Sequence, residues 1–163
     1  MDAQLLHLSS RLGEILEARA QSMVAAESCT GGLIAAVITE CPGSSVWFDR
    51  GFVTYSNRAK TEMLGVPTDL ITQHGAVSEQ VVQGMVMGAL RHSDVDYAVA
   101  VSGIAGPGGG SESKPVGTVF TGWGNSEQVV VQGHLFQGDR AEIRRQSVIK
   151  VLTGLIDFLM ECA

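Results

Sequence analysis

Apolar residues recur at helical spacing near the start of the chain. Leu5, Leu8, Leu12, Ile15 and Leu16 predict an amphipathic helix over residues 3–18. Residues 22–26, Ser-Met-Val-Ala-Ala, form a short apolar run suited to a buried strand, and the Leu-Ile-Ala-Ala-Val-Ile-Thr-Glu segment from residue 33 reads as a helix. Cys41, Pro42, Gly43, Ser44 and Ser45 break the pattern. A second strand is predicted over residues 50–55, after which Asn57 can cap a helix carrying Ala59, Lys60, Met63 and Leu64. Ser78 can cap another helix reaching about residue 91, with Val81, Val82, Met85, Val86, Ala89 and Leu90 as its apolar stripe.

Residues 96–102, Asp-Tyr-Ala-Val-Ala-Val-Ser, form the clearest buried strand. Residues 116–123 and 127–135 read as a hairpin, with Gly124, Asn125 and Ser126 as turn material. Asp139 followed by Glu142 has the logic of a capping box, and opens a last helix with Val148, Val151, Leu152, Leu155, Ile156 and Leu159 on one side. Strands alternating with helices predict an α/β fold with a largely parallel sheet, which the hairpin would make mixed. No repeat or linker interrupts the pattern, so residues 1–163 are expected to form one domain.

Composition narrows the function. Eleven Lys and Arg against 17 Asp and Glu give a net charge of −6, which disfavours broad binding to nucleic acid. Hydrophobic residues make up 45% and charged residues 17%, too apolar for a disordered chain. The three cysteines, Cys29, Cys41 and Cys162, show neither a C-x-x-C pair nor zinc spacing, so no metal and a reducing compartment are expected. Asp2, Glu14 and Glu17 interrupt the first segment, which does not read as a signal peptide. No run of about 18 apolar residues is present to span a membrane. A cytoplasmic protein is expected, and a homo-oligomer is left open.

Ligands of an open parallel sheet bind where the strands end. Three segments arrive there: Ser28 to Gly32, Tyr55 to Lys60, and Ser102 to Gly110. Ser28 can act as a nucleophile at a helix N-terminus, with N–H groups of Cys29, Thr30 or Gly31 as an oxyanion hole, or can simply cap that helix. Cys29 is a rival nucleophile, because a helix N-terminus lowers a thiol's pKa. Lys60 could serve as a base if burial brought its pKa from about 10.4 towards about 7–8. Tyr55 could orient it or relay a proton. Arg140, Arg144 and Arg145 crowd the start of the last helix and form a candidate phosphate clamp. The loop from Gly103 to Gly110 allows close backbone approach, yet is neither a dinucleotide fingerprint nor a P-loop. His74 lies in a turn before Ser78 and could approach the site. Gly84 and Gly88 inside a helix point to close packing against the sheet.

Taken in order, these motifs resemble the CinA C-terminal-domain family. The resemblance rests on Ala26-Glu27-Ser28-Cys29-Thr30-Gly31-Gly32, Gly51 to Asn57 with Lys60, His74 to Ser78, Ser102 to Pro107, Lys114 to Val119, and Gly138-Asp139-Arg140 with Arg144 and Arg145. It covers residues 5–160. It implies a three-layer α/β/α sandwich and nicotinamide-nucleotide amidase activity. That reaction hydrolyses the carboxamide of nicotinamide mononucleotide to nicotinate mononucleotide and ammonia, with no cofactor. It further implies Ser28 as nucleophile, Lys60 as base and Tyr55 as an assisting group. Ser102, Gly103 and Gly106 with Arg140, Arg144 or Arg145 would hold the nucleotide. Many relatives carry Thr where Ser102 stands, which keeps the hydroxyl. The competing expectations are an amidase for another amide, or a binding module tied to competence and DNA damage.

Overall fold

A computed structural model describes residues 1–162. Its elements run α1 (Ala3–Ala18), β1 (Met23–Glu27), α2 (Leu33–Thr39), β2 (Phe48–Val53), α3 (Asn57–Leu64), α4 (Thr68–His74), α5 (Glu79–Arg91), β3 (Tyr97–Gly103), β4 (Thr118–Gly124), β5 (Val129–Leu135) and α6 (Arg140–Glu161), with a short 3₁₀ turn at Ser44–Val46. The sheet order is β2-β1-β3-β4-β5. β1 pairs in parallel with β2 and β3, whereas β4 and β5 run antiparallel, so the sheet is mixed as expected.

Alternation along the central strands divides the core. Met23 and Ala25 of β1, with Tyr97, Val99 and Val101 of β3, face the layer of α1, α2 and α6. Val24 and Ala26, with Ala98 and Ala100, face α3, α4 and α5. Two helical layers on one sheet make the three-layer α/β/α sandwich. On the α5 side the central strands β1 and β3 present Val24 and three alanines, and α5 lies close to β4: a Cβ on Gly122 would stand 2.8 Å from Val82 Cγ1.

Several local expectations need correction. β1 begins one residue later than expected and runs on through Glu27. β2 begins two residues early, because the parallel ladder with β1 pairs Phe48 with Met23 and ends with Val53 opposite Glu27. Thr54 and Tyr55 thereby become loop. Ser56, not Asn57, caps α3, its hydroxyl accepting from Ala59 N at 3.0 Å. α4 lacks a sequence signal: Pro67 precedes it without a side-chain cap, and His74 is its last residue rather than a turn residue. Gly84 and Gly88 do allow close packing, but against the α3–α4 connection instead of the sheet. A Cβ on Gly88 would meet Leu64 O at 2.1 Å, and one on Gly84 would meet Val66 and Leu70 at 3.6–3.7 Å. The caps at Ser78 and Asp139 form as expected, accepting from Val81 N and Glu142 N. Glu142 completes no box, because its carboxylate turns to Arg145.

Candidate active site

The carboxyl ends of β1, β2 and β3 lie on one edge of the sheet, and the segments leaving them line a cleft of about 270 Å³. Ser28, Cys29, Tyr55, Lys60, Ser102, Gly103, Gly106 and Arg140 all border it. Ala76 and Val77, from the loop between α4 and α5, add a wall.

Lys60 is the feature that folding alone does not explain. Its side chain is 1% exposed, one of the largest fully buried side chains in the protein. An isolated buried ammonium is costly, so such a group must be hydrogen-bonded or neutral. Nζ lies 3.0 Å from Ser28 Oγ, 2.9 Å from Thr54 O and 3.3 Å from Tyr55 O. Removal from water lowers its pKa from the ordinary 10.5. Nζ is within donating distance of the Ser28 hydroxyl and of both carbonyls, and its burial favours the neutral amine over the ammonium. Arg58 points away and pairs with Glu62 in solvent.

Ser28 does not cap a helix. It leads a turn in which Gly31 N donates to Ser28 O at 3.0 Å, and α2 starts only at Leu33. That bond removes Gly31 from the expected oxyanion donors. The N–H groups of Cys29 and Thr30 donate to nothing among the described residues. The thiol of Cys29 is buried, and burial pushes its pKa up to about 11. It is therefore protonated near neutral pH and a poor nucleophile.

Tyr55 lies at the rim of the cleft: the residue is 60% exposed, its hydroxyl accepts from Arg140 Nη2 at 3.1 Å, and its backbone carbonyl is what reaches Lys60. Arg140 also donates to Gly106 O at 2.8 Å and so bridges two rims of the cleft. Arg144 turns to the Ser28–Gly31 turn, donating to Thr30 O at 2.8 Å. Arg145 leaves the site: it binds Asp2 at 2.7 Å, Gln4 and Glu142. The guanidinium beside Asp2 holds that carboxyl below its usual range. The clamp of three arginines thus reduces to one at the cleft and one behind the turn. Spacing on a helix shows which side chains share a face but not which face meets the cleft.

Ser102 Oγ donates to Ala76 O at 2.8 Å, holding that wall in place. Lys114 does the same from the long loop, donating to His74 O and Val77 O. His74 contributes a carbonyl there and does not line the cleft. The N–H groups of Ala105, Gly106, Gly108 and Gly109 are unspent among the described residues, and all four residues line the cleft. Gly106 has φ +79°, and a Cβ there would strike Val116 Cγ1 at 2.4 Å, so the loop's path requires glycine. Sequence reasoning missed Glu27, Lys114 and the Ala76–Val77 wall. The signal for Glu27 was a carboxylate ending a wholly apolar strand.

The model of the CinA C-terminal domain matches residues 5–159. The chain belongs to the CinA C-terminal domain family. It is 51% identical over 155 residues to the nicotinamide-nucleotide amidohydrolase PncC of Escherichia coli K12, covering 94% of both chains. It is 54% identical over 149 residues to the protein of that name from Pseudomonas putida, covering 91% of this chain and 93% of that one. Among solved structures, the competence/damage inducible protein CihA from Agrobacterium tumefaciens superposes with a TM-score of 0.94 at 44% identity, covering 96% of each chain. No helix among the described residues is long and apolar enough to cross a membrane.

Proposed function

We propose that this chain, acting as one domain, hydrolyses the carboxamide of nicotinamide mononucleotide to nicotinate mononucleotide and ammonia through an acyl-enzyme on Ser28. The observation that carries the reading is the buried Lys60 amine 3.0 Å from the Ser28 hydroxyl at the floor of the cleft. The PncC relatives, more than half identical over nearly the whole chain, supply the substrate. A module that only bound a nucleotide would have no use for a lysine stripped of water.

The chemistry is ordinary acyl transfer. Neutral Lys60 takes the Ser28 proton as Oγ attacks the carboxamide carbon. The free N–H groups of Cys29 and Thr30 receive the oxyanion, each such donor being worth roughly 2.7–4 kcal/mol in a transition state. Lys60, now protonated and anchored by Thr54 O and Tyr55 O, returns the proton to the departing ammonia. It then serves as base again for the water that releases the acid. Arg140, with the open N–H groups of the 105–109 loop, suits the substrate's phosphate, since guanidinium and backbone donors together favour an anion. Tyr55, bonded to Arg140, orders that rim. Three free cysteines suit a reducing, cytoplasmic setting.

The test is incubation with nicotinamide mononucleotide, measuring ammonia and identifying the product by mass. Nicotinate mononucleotide and ammonia in equal amounts are expected. Equal turnover of free nicotinamide would remove the role given to Arg140, and no ammonia from folded protein would overturn the reading.

A further inference from the structure

Glu27 immediately precedes Ser28, is fully buried, and takes no part in the proton transfers above. Its carboxylate accepts three hydrogen bonds: from Thr30 Oγ1 at 2.7 Å, from Ile34 N at 2.8 Å and from Ala35 N at 3.1 Å. The last two are the orphan N–H groups of the α2 N-terminus, which Gly32, at the cap position with φ 101°, has no side chain to satisfy. Glu27 also works through its backbone, its carbonyl accepting from Thr54 N at 2.8 Å. The carbonyl of that same Thr54 anchors Lys60.

We infer that Glu27, through Thr30, is a positioning residue that keeps the Ser28 hydroxyl and the Thr30 N–H free for the reaction. The inference rests on the Ser28–Lys60 reading of the site and deepens it.

A serine at a β-to-α junction ordinarily turns its oxygen into the first helical turn and accepts an N–H there. That would draw Oγ away from Lys60. Here Gly32 holds the cap position, and the Glu27 carboxyl fills the helix terminus from inside the protein, so no hydroxyl of the Ser28–Gly31 turn is drawn to it. The same carboxylate fixes the Thr30 hydroxyl, while Arg144 and Leu33 N both donate to Thr30 O. Thr30 is thus held by its side chain and by its carbonyl, leaving its N–H as the one polar backbone group without a protein partner. The Glu27 carboxyl already occupies the N–H groups of Ile34 and Ala35, so the oxyanion is left to the turn and not to α2. The residue acts only through others: it lies behind the turn and does not line the cleft.

The test compares Thr30→Val, which keeps the shape and loses the hydroxyl, with Thr30→Ser, which keeps the hydroxyl. Glu27→Gln accompanies them. Two readouts are taken: steady-state kinetics with nicotinamide mononucleotide, and the rate at which an arylsulfonyl fluoride labels Ser28, located by peptide mass. Thr30→Val and Glu27→Gln are expected to lower kcat and the labelling rate together by roughly tenfold to a hundredfold, the scale of a small misplacement of reacting groups. KM and the thermal midpoint of Thr30→Val should stay close to wild type, and Thr30→Ser should recover most of kcat. Wild-type rates in Thr30→Val, or a loss that appears only in KM or in the thermal midpoint, would overturn the positioning role alone. Failure of wild-type protein to label at Ser28, with turnover surviving in Ser28→Ala, would overturn the underlying reading and this inference with it.

Discussion

Burial of Lys60 has consequences for both rate and stability that share one cause. The folded protein binds the Lys60 proton less tightly than an ordinary lysine with a pKa of 10.5. Activity that depends on the neutral amine should rise with pH through the lowered value and level off above it. In stability the sign follows from proton counting. Between the lowered folded value and 10.5, the unfolded chain binds more protons than the folded one, so stability rises with pH across that window. Lys60→Met should abolish both trends. It should lower kcat by roughly 10²–10⁴-fold, the usual worth of a general base. Melting curves of the two proteins from neutral to alkaline pH, beside kcat/KM profiles, check this. A variant that keeps the wild-type pH profile would remove Lys60 from the chemistry. Cys29 offers the opposite case. With its thiol pKa pushed up to about 11, Cys29→Ala should keep activity within a few-fold, and iodoacetamide should not inactivate the enzyme at neutral pH. The neighbouring types Ser28 and Cys29 were equivalent candidates in the sequence. Both are buried at the cleft; what separates them is a lysine 32 positions away whose amine meets the Ser28 hydroxyl, and spacing along the chain does not carry that contact.

Helix α3 brings Lys60 to the site, and its seat against α5 depends on one missing methyl group. Gly88→Ala would put a Cβ 2.1 Å from the Leu64 carbonyl, a backbone atom that cannot swing aside. The expected cost is about 1–3 kcal/mol from overpacking, with a fall in kcat because the end of α3 shifts. Gly84→Ala, four residues earlier, would meet Val66 and Leu70 only at ordinary contact distance. It should be neutral or add up to about 1 kcal/mol through helix propensity. Denaturant unfolding of the two variants tests the contrast, and equal effects would contradict it. The apolar stripes of α1, α5 and α6 are strong enough to read directly, and these helices lie where expected. α4, seven residues long and uncapped, has no stripe to detect. The bounds of β2 were missed because its end is set by the ladder to β1 and not by its own residues.

At the scale of the whole molecule, the cleft is assembled from loops that follow β1, β2 and β3 and from the first turn of α6. The principle that ligands meet the carboxyl ends of parallel strands is what made this convergence legible before any distance was known. The arginines were legible as a group but not individually. Arg140→Ala should raise KM for nicotinamide mononucleotide roughly tenfold to a hundredfold, the worth of a hydrogen bond to a charged group. Arg145→Ala should leave KM unchanged, because that side chain ties α6 to Asp2 at the start of α1. Steady-state kinetics of the pair decides it, and equal shifts in KM would contradict the placement of the phosphate. The central claim is the identity of the nucleophile. It is tested most directly by ammonia release from nicotinamide mononucleotide in wild type, Ser28→Ala and Cys29→Ala, each shown to be folded. Loss in Ser28→Ala with retention in Cys29→Ala is the result predicted. Retention in Ser28→Ala with loss in Cys29→Ala would contradict the account.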